Sequence, residues 1–142
     1  MIITSLGLAT AAAFTGAAAY VNWAEQPARL ALDDAALLKE WQFSYPKGLE
    51  MQASLALVSG LLGLAAFYVE HRWTAGIGGI FMLANWPYTF LAINPTNRRL
   101  GAMADAGAGP RPLIQKWGRL HAARTLLGCA GLVAFLFAVI AE

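Results

Sequence analysis

The chain has 142 residues, of which 58% are hydrophobic and only 13% are charged, with a formal net charge of +2. Soluble domains usually carry about 25% charged residues. This composition therefore excludes an ordinary soluble domain, and the absence of a basic run argues against nucleic acid as a partner. The single cysteine, Cys129, excludes an intrachain disulfide and a cysteine-rich metal site. We expect one integral membrane domain over residues 1–142, with the lipid bilayer as its solvent.

Four apolar segments are each long enough to cross a bilayer as a helix, which needs about 20 mostly apolar residues. The predicted spans are residues 2–21, 51–69, 73–93 and 120–141. Glycine and alanine are frequent in all four, which suits close helix packing in lipid. No Lys or Arg precedes the first segment, so we expect it to be retained rather than cleaved as a signal peptide. The predicted fold is an all-α, four-helix transmembrane bundle.

Basic residues are concentrated in the two long loops, residues 22–50 and 94–119. The short turn at the opposite end offers only His71 and Arg72. By the positive-inside rule, the long loops face the cytoplasm and both termini face outward. The expected location is a bacterial inner membrane.

The long loops contain their own predicted structure. Residues 33–34 are acidic and favour the start of a short interfacial helix over residues 35–41. The sequence 45–48, Tyr-Pro-Lys-Gly, is expected to end that helix and turn into the second span. The prolines in residues 110–112 predict that the last helix begins near Leu113, before the membrane core.

One face of the fourth span carries polar and aromatic side chains near its start. Trp117, His121 and Arg124 are spaced i, i+4 and i+7, so they share a helix face. Arg124 either extends back to the surface or faces the bundle and binds an anion.

The end of the third span carries a second polar face. Asn85, Tyr88 and Thr89 are spaced i, i+3 and i+4, and the helical rise places Asn85 at about the depth of Arg124. Two further polar residues lie at the end of the first span: Asn22 and Glu25. These positions predict a polar-lined pocket that opens toward the cytoplasm and suits a flat, lipophilic ligand. The alternative is that such groups only bridge helices.

His121 is the one candidate base in the predicted pocket. A neutral histidine can take a proton from a carbon or phenol acid. Arg124, Tyr88 and Asn85 could then stabilise the resulting oxyanion. His71 lies at the other end of the bilayer, so the two histidines cannot bind one metal within one chain. No metal or cofactor is expected, although a single haem or metal on His121 remains open.

Three sequence tracts stand out together: Trp41-Gln42-Phe43-Ser44-Tyr45-Pro46-Lys47-Gly48, then Pro87-Tyr88-Thr89 with Asn94-Pro95-Thr96-Asn97, then Trp117-Gly118-Arg119-Leu120-His121-Ala122-Ala123-Arg124. In this order they resemble the anthrone oxygenases, which are small four-span membrane proteins of polyketide pathways. The resemblance runs from about residue 21 to residue 133, and the tract 87–97 is its most specific part.

The resemblance implies an oxidase or monooxygenase that converts an anthrone to an anthraquinone with O₂ and without a dedicated cofactor. In this interpretation His121 removes a proton from the activated ring carbon, and Arg124 holds a phenolate oxygen together with Tyr88 and Asn85. The rings would stack on Trp86 and Trp117. The remaining predicted substrate-binding residues are Asn22, Glu25, Thr89, Asn94 and Asn97.

Two other functions remain open at this stage. The chain could be a non-catalytic subunit of a larger membrane complex, because most buried polar residues in membranes only pack helices. It could also bind a quinone or another lipid without converting it. The expected small-molecule partner is flat and aromatic or quinone-like, and a homo-oligomer also remains open.

Overall fold

The computed structural model describes residues 1–141, apart from the side chain of Ala108, so Glu142 of the predicted domain lies outside the described residues. No strand occurs within this range. The elements are α1 (Ile2–Tyr20), a first π-helical segment (Val21–Glu25), α2 (Gln26–Leu30), α3 (Asp34–Val69), α4 (Trp73–Tyr88), a second π-helical segment (Thr89–Ile93), α5 (Asn94–Gly101), a 3₁₀ turn (Ala106–Ala108) and α6 (Arg111–Ile140).

These elements join into four continuous helices that are long and apolar enough to cross a membrane: Ile2–Leu30, Asp34–Val69, Trp73–Gly101 and Arg111–Ile140. The structure thus confirms the predicted all-α, four-helix architecture. Large apolar side chains such as Trp23, Leu91 and Ile140 point away from the bundle, where lipid would surround them.

The four helices form an up-and-down ring. α1 packs against α3 and α6, and α4 packs against the same two helices, while the diagonal pairs barely touch. Short connections between sequential antiparallel helices produce this arrangement. The connections over residues 31–33 and 102–110, and the ends of the helices that they join, therefore meet at one end of the bundle, which we call the loop end.

The predicted short helix before the second span exists, but it is not separate from that span. The Asp33 carboxylate caps α3 by accepting hydrogen bonds of 3.0 Å from the backbone N–H groups of Ala35 and Ala36. The helix then runs without a break to Val69. The predicted end at residues 45–48 is therefore wrong.

Aromatic packing explains why α3 continues through Pro46. The proline removes one backbone hydrogen bond, which alone would kink or end a helix in water. Here Trp41 and Tyr45 stack with ring centroids 4.6 Å apart, and the ring of Trp117 lies at right angles to both, with centroids 6.0 and 6.3 Å away. Trp41 is 1% exposed. This packing holds the turn around Pro46 in helical form, as neighbouring helices do for prolines in membrane bundles.

Both π-helical segments end in the same way. The N–H of Gln26 donates to the carbonyl of Val21, and the N–H of Asn94 donates to the carbonyl of Thr89, so each bond spans five residues. A proline follows each donor, Pro27 and Pro95. A proline cannot donate and its ring crowds the carbonyl four residues earlier, which favours the wider turn just before it. The two widened turns both lie near the loop end.

The other half of the bundle is an apolar core with close backbone contacts. Phe14, Met82 and Phe135 are fully buried there among alanines. A Cβ atom on Gly63 would lie 2.6 Å from the Ala75 carbonyl oxygen, so only glycine allows α3 and α4 to approach this closely.

Glu70, just after α3, caps the N-terminus of α1. Its carboxylate accepts hydrogen bonds from the N–H groups of Ile3 and Thr4, at 2.9 and 3.0 Å, and from the Thr4 hydroxyl at 2.6 Å. It also lies 2.6 Å from the ammonium of Met1. Desolvation opposes ionisation, but these hydrogen bonds outweigh it and lower the pKa of Glu70 to about 2. The carboxylate thus ties the α3–α4 turn to α1.

Candidate functional site

His121 lies on α6 near the loop end, and its ring is held from two sides. The side chain is 3% exposed and stacks on Trp117 with centroids 5.0 Å apart. Its Nδ1 lies 3.0 Å from the side-chain oxygen of Asn22. The amide nitrogen of Asn22 donates to the Gly118 carbonyl at 3.1 Å, which sets the orientation of the amide. Asn22 and Trp117 together fix the position of the imidazole.

The contact with Asn22 also selects the tautomer of His121. An amide oxygen only accepts hydrogen bonds, so Nδ1 must carry the hydrogen and Nε2 keeps its lone pair in the neutral ring. The Thr125 hydroxyl donates to the same Asn22 oxygen at 2.6 Å, which reinforces its role as acceptor. Nε2 has no hydrogen-bond partner among residues 1–141. It is therefore the ring atom available to a ligand.

Arg124, one turn further along α6, is a buried cation without a counterion among residues 1–141. It is 5% exposed, it makes no hydrogen bond or ion pair with the described part of the chain, and its Nε is buried and unpaired. Its guanidinium lies 5.6 Å from the ring centre of Phe14. An unpaired buried charge is costly. We therefore expect the guanidinium of Arg124 to bind a ligand, and an anionic oxygen is the group that it would bind.

Two adjoining cavities meet at Arg124. The larger, about 290 Å³, is here called the loop-side cavity. Its walls include Glu25, Arg29, Phe43, Tyr45, Leu49, Gln52, Trp117, His121 and Arg124. The smaller, about 140 Å³, is called the lipid-side cavity because two of its wall residues, Trp86 and Phe90, are partly exposed on the flank of the bundle. Its walls are Tyr45, Leu49, Ala53, Asn85, Trp86, Thr89, Phe90, Asn94 and Arg124.

The predicted site residues divide between these cavities. Glu25, Trp117, His121 and Arg124 line the loop-side cavity, as the shared face of α6 indicated for the last three. Asn85, Trp86, Thr89 and Asn94 line the lipid-side cavity, which Arg124 also borders. Trp86 and Trp117, predicted to stack on the same rings, thus border different cavities.

Three predicted residues line neither cavity. Asn22 contacts His121 instead, as described above. The Tyr88 hydroxyl donates to the Leu120 carbonyl at 3.0 Å, which joins the helix 73–101 to α6. The Asn97 amide donates to the Tyr45 hydroxyl at 2.7 Å, and its oxygen accepts from the Trp117 indole at 3.0 Å. Tyr88 therefore holds α6 in place, and Asn97 holds the wall residues Tyr45 and Trp117 in place, while neither of them lines a cavity.

Arg29 is a site residue that the sequence did not single out. It is 2% exposed, it forms ion pairs with Glu25 and Glu40, and its guanidinium lies 5.4 Å from the ring centre of Trp117. The i, i+4 spacing of Glu25 and Arg29 is the signal that could have revealed it. Glu25, predicted to bind substrate, is thus already paired with Arg29.

Tyr45 and Gln52 complete the walls on the α3 side. Tyr45 borders both cavities, although its position beside Pro46 had suggested a helix end. Gln52 is 2% exposed, and its side-chain oxygen is buried without a partner. The side-chain oxygen of Asn85 is in the same situation in the other cavity. Each of these buried acceptors needs a hydrogen-bond donor that the described residues do not supply.

The side chains of the site have the chemistry that proton abstraction requires. No group of three or more His, Cys, Asp and Glu side chains within residues 1–141 is placed to hold a metal ion. The site instead combines one oriented neutral base, His121, with one unpaired cation, Arg124. A base beside a cation can remove a proton and stabilise the anion that results.

Known proteins similar to this chain share one family description. Residues 41–134 match the protein family described as Anthrone oxygenase. A protein of Claviceps purpurea (strain 20.1) named "Anthrone oxygenase" is 31% identical over 117 residues, which cover 71% of this chain and 66% of that protein. No solved structure matches the chain. The family match covers more than half of the chain and includes Tyr45, Asn85, His121 and Arg124. The chain therefore belongs to the anthrone oxygenase family.

Proposed function

We propose that this protein is a membrane-embedded oxygenase that converts an anthrone-like aromatic polyketide to a quinone with O₂. The observation that carries the proposal is the placement of His121, oriented by Asn22, beside the unpaired Arg124. Membership of the family, and the name of the fungal relative, supply the substrate class.

The first step is proton transfer. The carbon between the two outer rings of an anthrone carries two hydrogens, and loss of one proton gives a carbanion delocalised onto the ring oxygen. Nε2 of His121 takes this proton as a general base, a role worth about 10²–10⁴-fold in rate. The Arg124 guanidinium stabilises the phenolate form of the ring oxygen.

The second step is the reaction with oxygen. The carbanion gives one electron to O₂, and the resulting ring radical and superoxide combine to form a carbon–oxygen bond. The peroxide anion takes the proton from the His121 imidazolium and becomes a hydroperoxide. Loss of the second proton from the same carbon then breaks the O–O bond and expels hydroxide, which is protonated to water. One anthrone and one O₂ give one quinone and one water, and the substrate supplies all the electrons.

The loop-side cavity is the better fit for the fused rings. Its volume of about 290 Å³ lies just below the range of about 300–1,000 Å³ that is typical of ligand sites. Phe43, Tyr45 and Trp117 supply aromatic surface on its walls, and aromatic rings pack well on one another. His121 and Arg124 border the same space, so base and cation both reach a ligand bound there.

We also propose that the protein lies in a bacterial inner membrane with its loop end in the cytoplasm. The basic residues of the loop segments support this orientation. A reporter enzyme that works only outside the cytoplasm, fused after residue 142, is expected to be active. Activity of a cytoplasm-only reporter at the same position would reverse the orientation.

Oxygen uptake tests the proposed activity. The purified protein in bicelles, given a simple anthrone, is expected to consume one O₂ per quinone formed, faster than protein-free bicelles do. With ¹⁸O₂, one labelled atom is expected in the new carbonyl. No acceleration over the protein-free rate would overturn the proposal, and binding of the anthrone without turnover would point to a carrier instead.

A further inference from the structure

The proposed reaction places the fused rings in the loop-side cavity and assigns no molecule to the lipid-side cavity. It adjoins the loop-side cavity through Tyr45, Leu49 and Arg124, so anything held in it lies beside the reacting groups. Its walls combine carbon-rich surface with two buried and unpaired polar groups, the oxygen of Asn85 and the Nε of Arg124.

The volume of the cavity limits what it can hold. At about 140 Å³ it is close in size to apolar protein cavities of about 150 Å³, which take up benzene or xenon. It can hold a single small ring or a few atoms of gas, but not three fused rings. The tricyclic substrate therefore belongs in the loop-side cavity, and the smaller space is left for the second reactant.

We propose that the lipid-side cavity is the dioxygen site of this protein. This inference rests on the proposed function, because it is the oxygenase reaction that requires O₂. The ligand is a small apolar molecule that becomes an anion when it is reduced, and the cavity offers both an apolar wall and a cation.

Arg124 is the feature that suits reduced oxygen in particular. Neutral O₂ needs only apolar contact, which Leu49, Ala53 and Phe90 supply. Once O₂ has accepted an electron, the unpaired guanidinium can stabilise the superoxide and then the peroxide anion. When the peroxide is protonated, the buried oxygen of Asn85 can accept a hydrogen bond from its O–H group.

The position of the cavity also provides a route for O₂ from the bilayer. Trp86 and Phe90 are 36% and 58% exposed on the flank where α3 and the helix 73–101 meet. The indole N–H of Trp86 donates to the Ala53 carbonyl at 3.3 Å, so one side chain bridges the two helices at the opening. Apolar gases dissolve better in hydrocarbon than in water, so a lipid-facing opening favours their entry.

Xenon is the probe for the cavity itself. Crystals of the protein grown in lipid and pressurised with xenon are expected to bind it between Ala53, Asn85 and Trp86. The variant Ala53→Leu, which fills this space, is expected to lose that xenon site. Xenon bound elsewhere in wild-type crystals but absent here would overturn the proposal, as would a lipid tail or a substrate ring occupying the cavity.

Kinetics test whether the same space serves the reaction. Ala53→Leu is expected to raise the KM for O₂ several-fold and leave the KM for the anthrone unchanged. Ala65→Leu, on the same helix, similarly half-buried and outside both cavities, is the matched control and is expected to change neither. A rise in the KM for the anthrone alone would assign the cavity to the substrate and overturn the proposal. Xenon binding in a protein that never oxidises anthrones would support the gas site and reject the proposed function.

Discussion

The side-chain oxygen of Asn22 lies 3.0 Å from Nδ1 of His121, although 99 residues separate the two along the chain. Asn22 belongs to the first π-helical segment, and His121 lies about three turns after the start of α6. This contact decides which imidazole nitrogen can act as a base. We therefore expect Asn22 to act as a positioning residue rather than as a substrate ligand, because it lines neither cavity.

Removing the amide of Asn22 is therefore expected to slow catalysis without weakening binding. Asn22→Leu keeps the size of the side chain but leaves the tautomer and angle of His121 unset, and kcat is expected to fall about 10- to 100-fold. The KM for the anthrone is expected to stay unchanged, because Asn22 lines neither cavity. Thr125→Val is the control, since it removes the other donor to the Asn22 oxygen and leaves the His121 contact in place. Equal losses in both variants would contradict a specific role for Asn22.

The two buried arginines are expected to respond in opposite ways to substitution by methionine. Arg124 has no hydrogen bond or ion pair to lose within the described part of the chain, so Arg124→Met is expected to keep or raise the Tm while activity falls about 100- to 1,000-fold. Arg29→Met leaves Glu25 and Glu40 unpaired, and it is expected to lower the free energy of unfolding by about 1–3 kcal/mol. Thermal unfolding in detergent and oxygen uptake measure the two effects. A strongly destabilised Arg124→Met would mean that the guanidinium is structural.

Close backbone packing between α3 and α4 predicts that Gly63 does not tolerate a methyl group. A Cβ at this position meets a backbone oxygen at 2.6 Å, so Gly63→Ala must push the helices apart at a cost of about 1–3 kcal/mol. Gly16→Ala on α1 is the matched control, because nothing lies within 4 Å of its added Cβ. That control is expected to be neutral or slightly stabilising. Equal Tm values for the two variants would contradict the close approach.

The cap formed by Glu70 predicts a pH dependence of stability. Its pKa of about 2 lies below the ordinary value of 4.5, so its contribution is complete above pH 4.5 and is lost as the pH falls through about 2. Glu70→Gln is expected to lower the Tm at neutral pH, and the difference from wild type should shrink between pH 4.5 and 2. Glu50→Gln, an exposed carboxylate without an ion pair in the described residues, should show no such difference. A constant difference for Glu70→Gln across this range would contradict the ionic cap.

Hydropathy and helical periodicity were sufficient to predict most of the architecture. In lipid the backbone must satisfy its own hydrogen bonds, so long apolar segments have few alternatives to helices. The predicted depth of a polar residue along its span also indicated which side chains lie close together. Asn85 and Arg124 were expected at the same level, and they line the same small cavity.

The detailed contacts could not be predicted because they depend on helix register and on packing between distant segments. Asn22 lies within the first π-helical segment, and regular 3.6-residue spacing does not describe how side chains are arranged there. Tyr45 was not predicted as a site residue, because Pro46 beside it was expected to end the helix. In the structure the stacked ring of Trp41 supports this turn, and the helix continues. Tyr88 shares a regular face with Asn85 in the sequence, yet its hydroxyl bonds to α6 outside both cavities.

In the proposed reaction, Nε2 of His121 removes the proton that starts the reaction with O₂. The most direct test compares anthrone-dependent oxygen uptake by purified wild-type protein and by His121→Ala and His121→Gln, with the Tm of each variant measured in the same bicelles. Wild-type protein is expected to accelerate uptake over the protein-free rate, and both folded variants are expected to lose about 10²–10⁴-fold of that acceleration. A folded His121→Ala protein that oxidises the anthrone at the wild-type rate would contradict the role of His121 as the base.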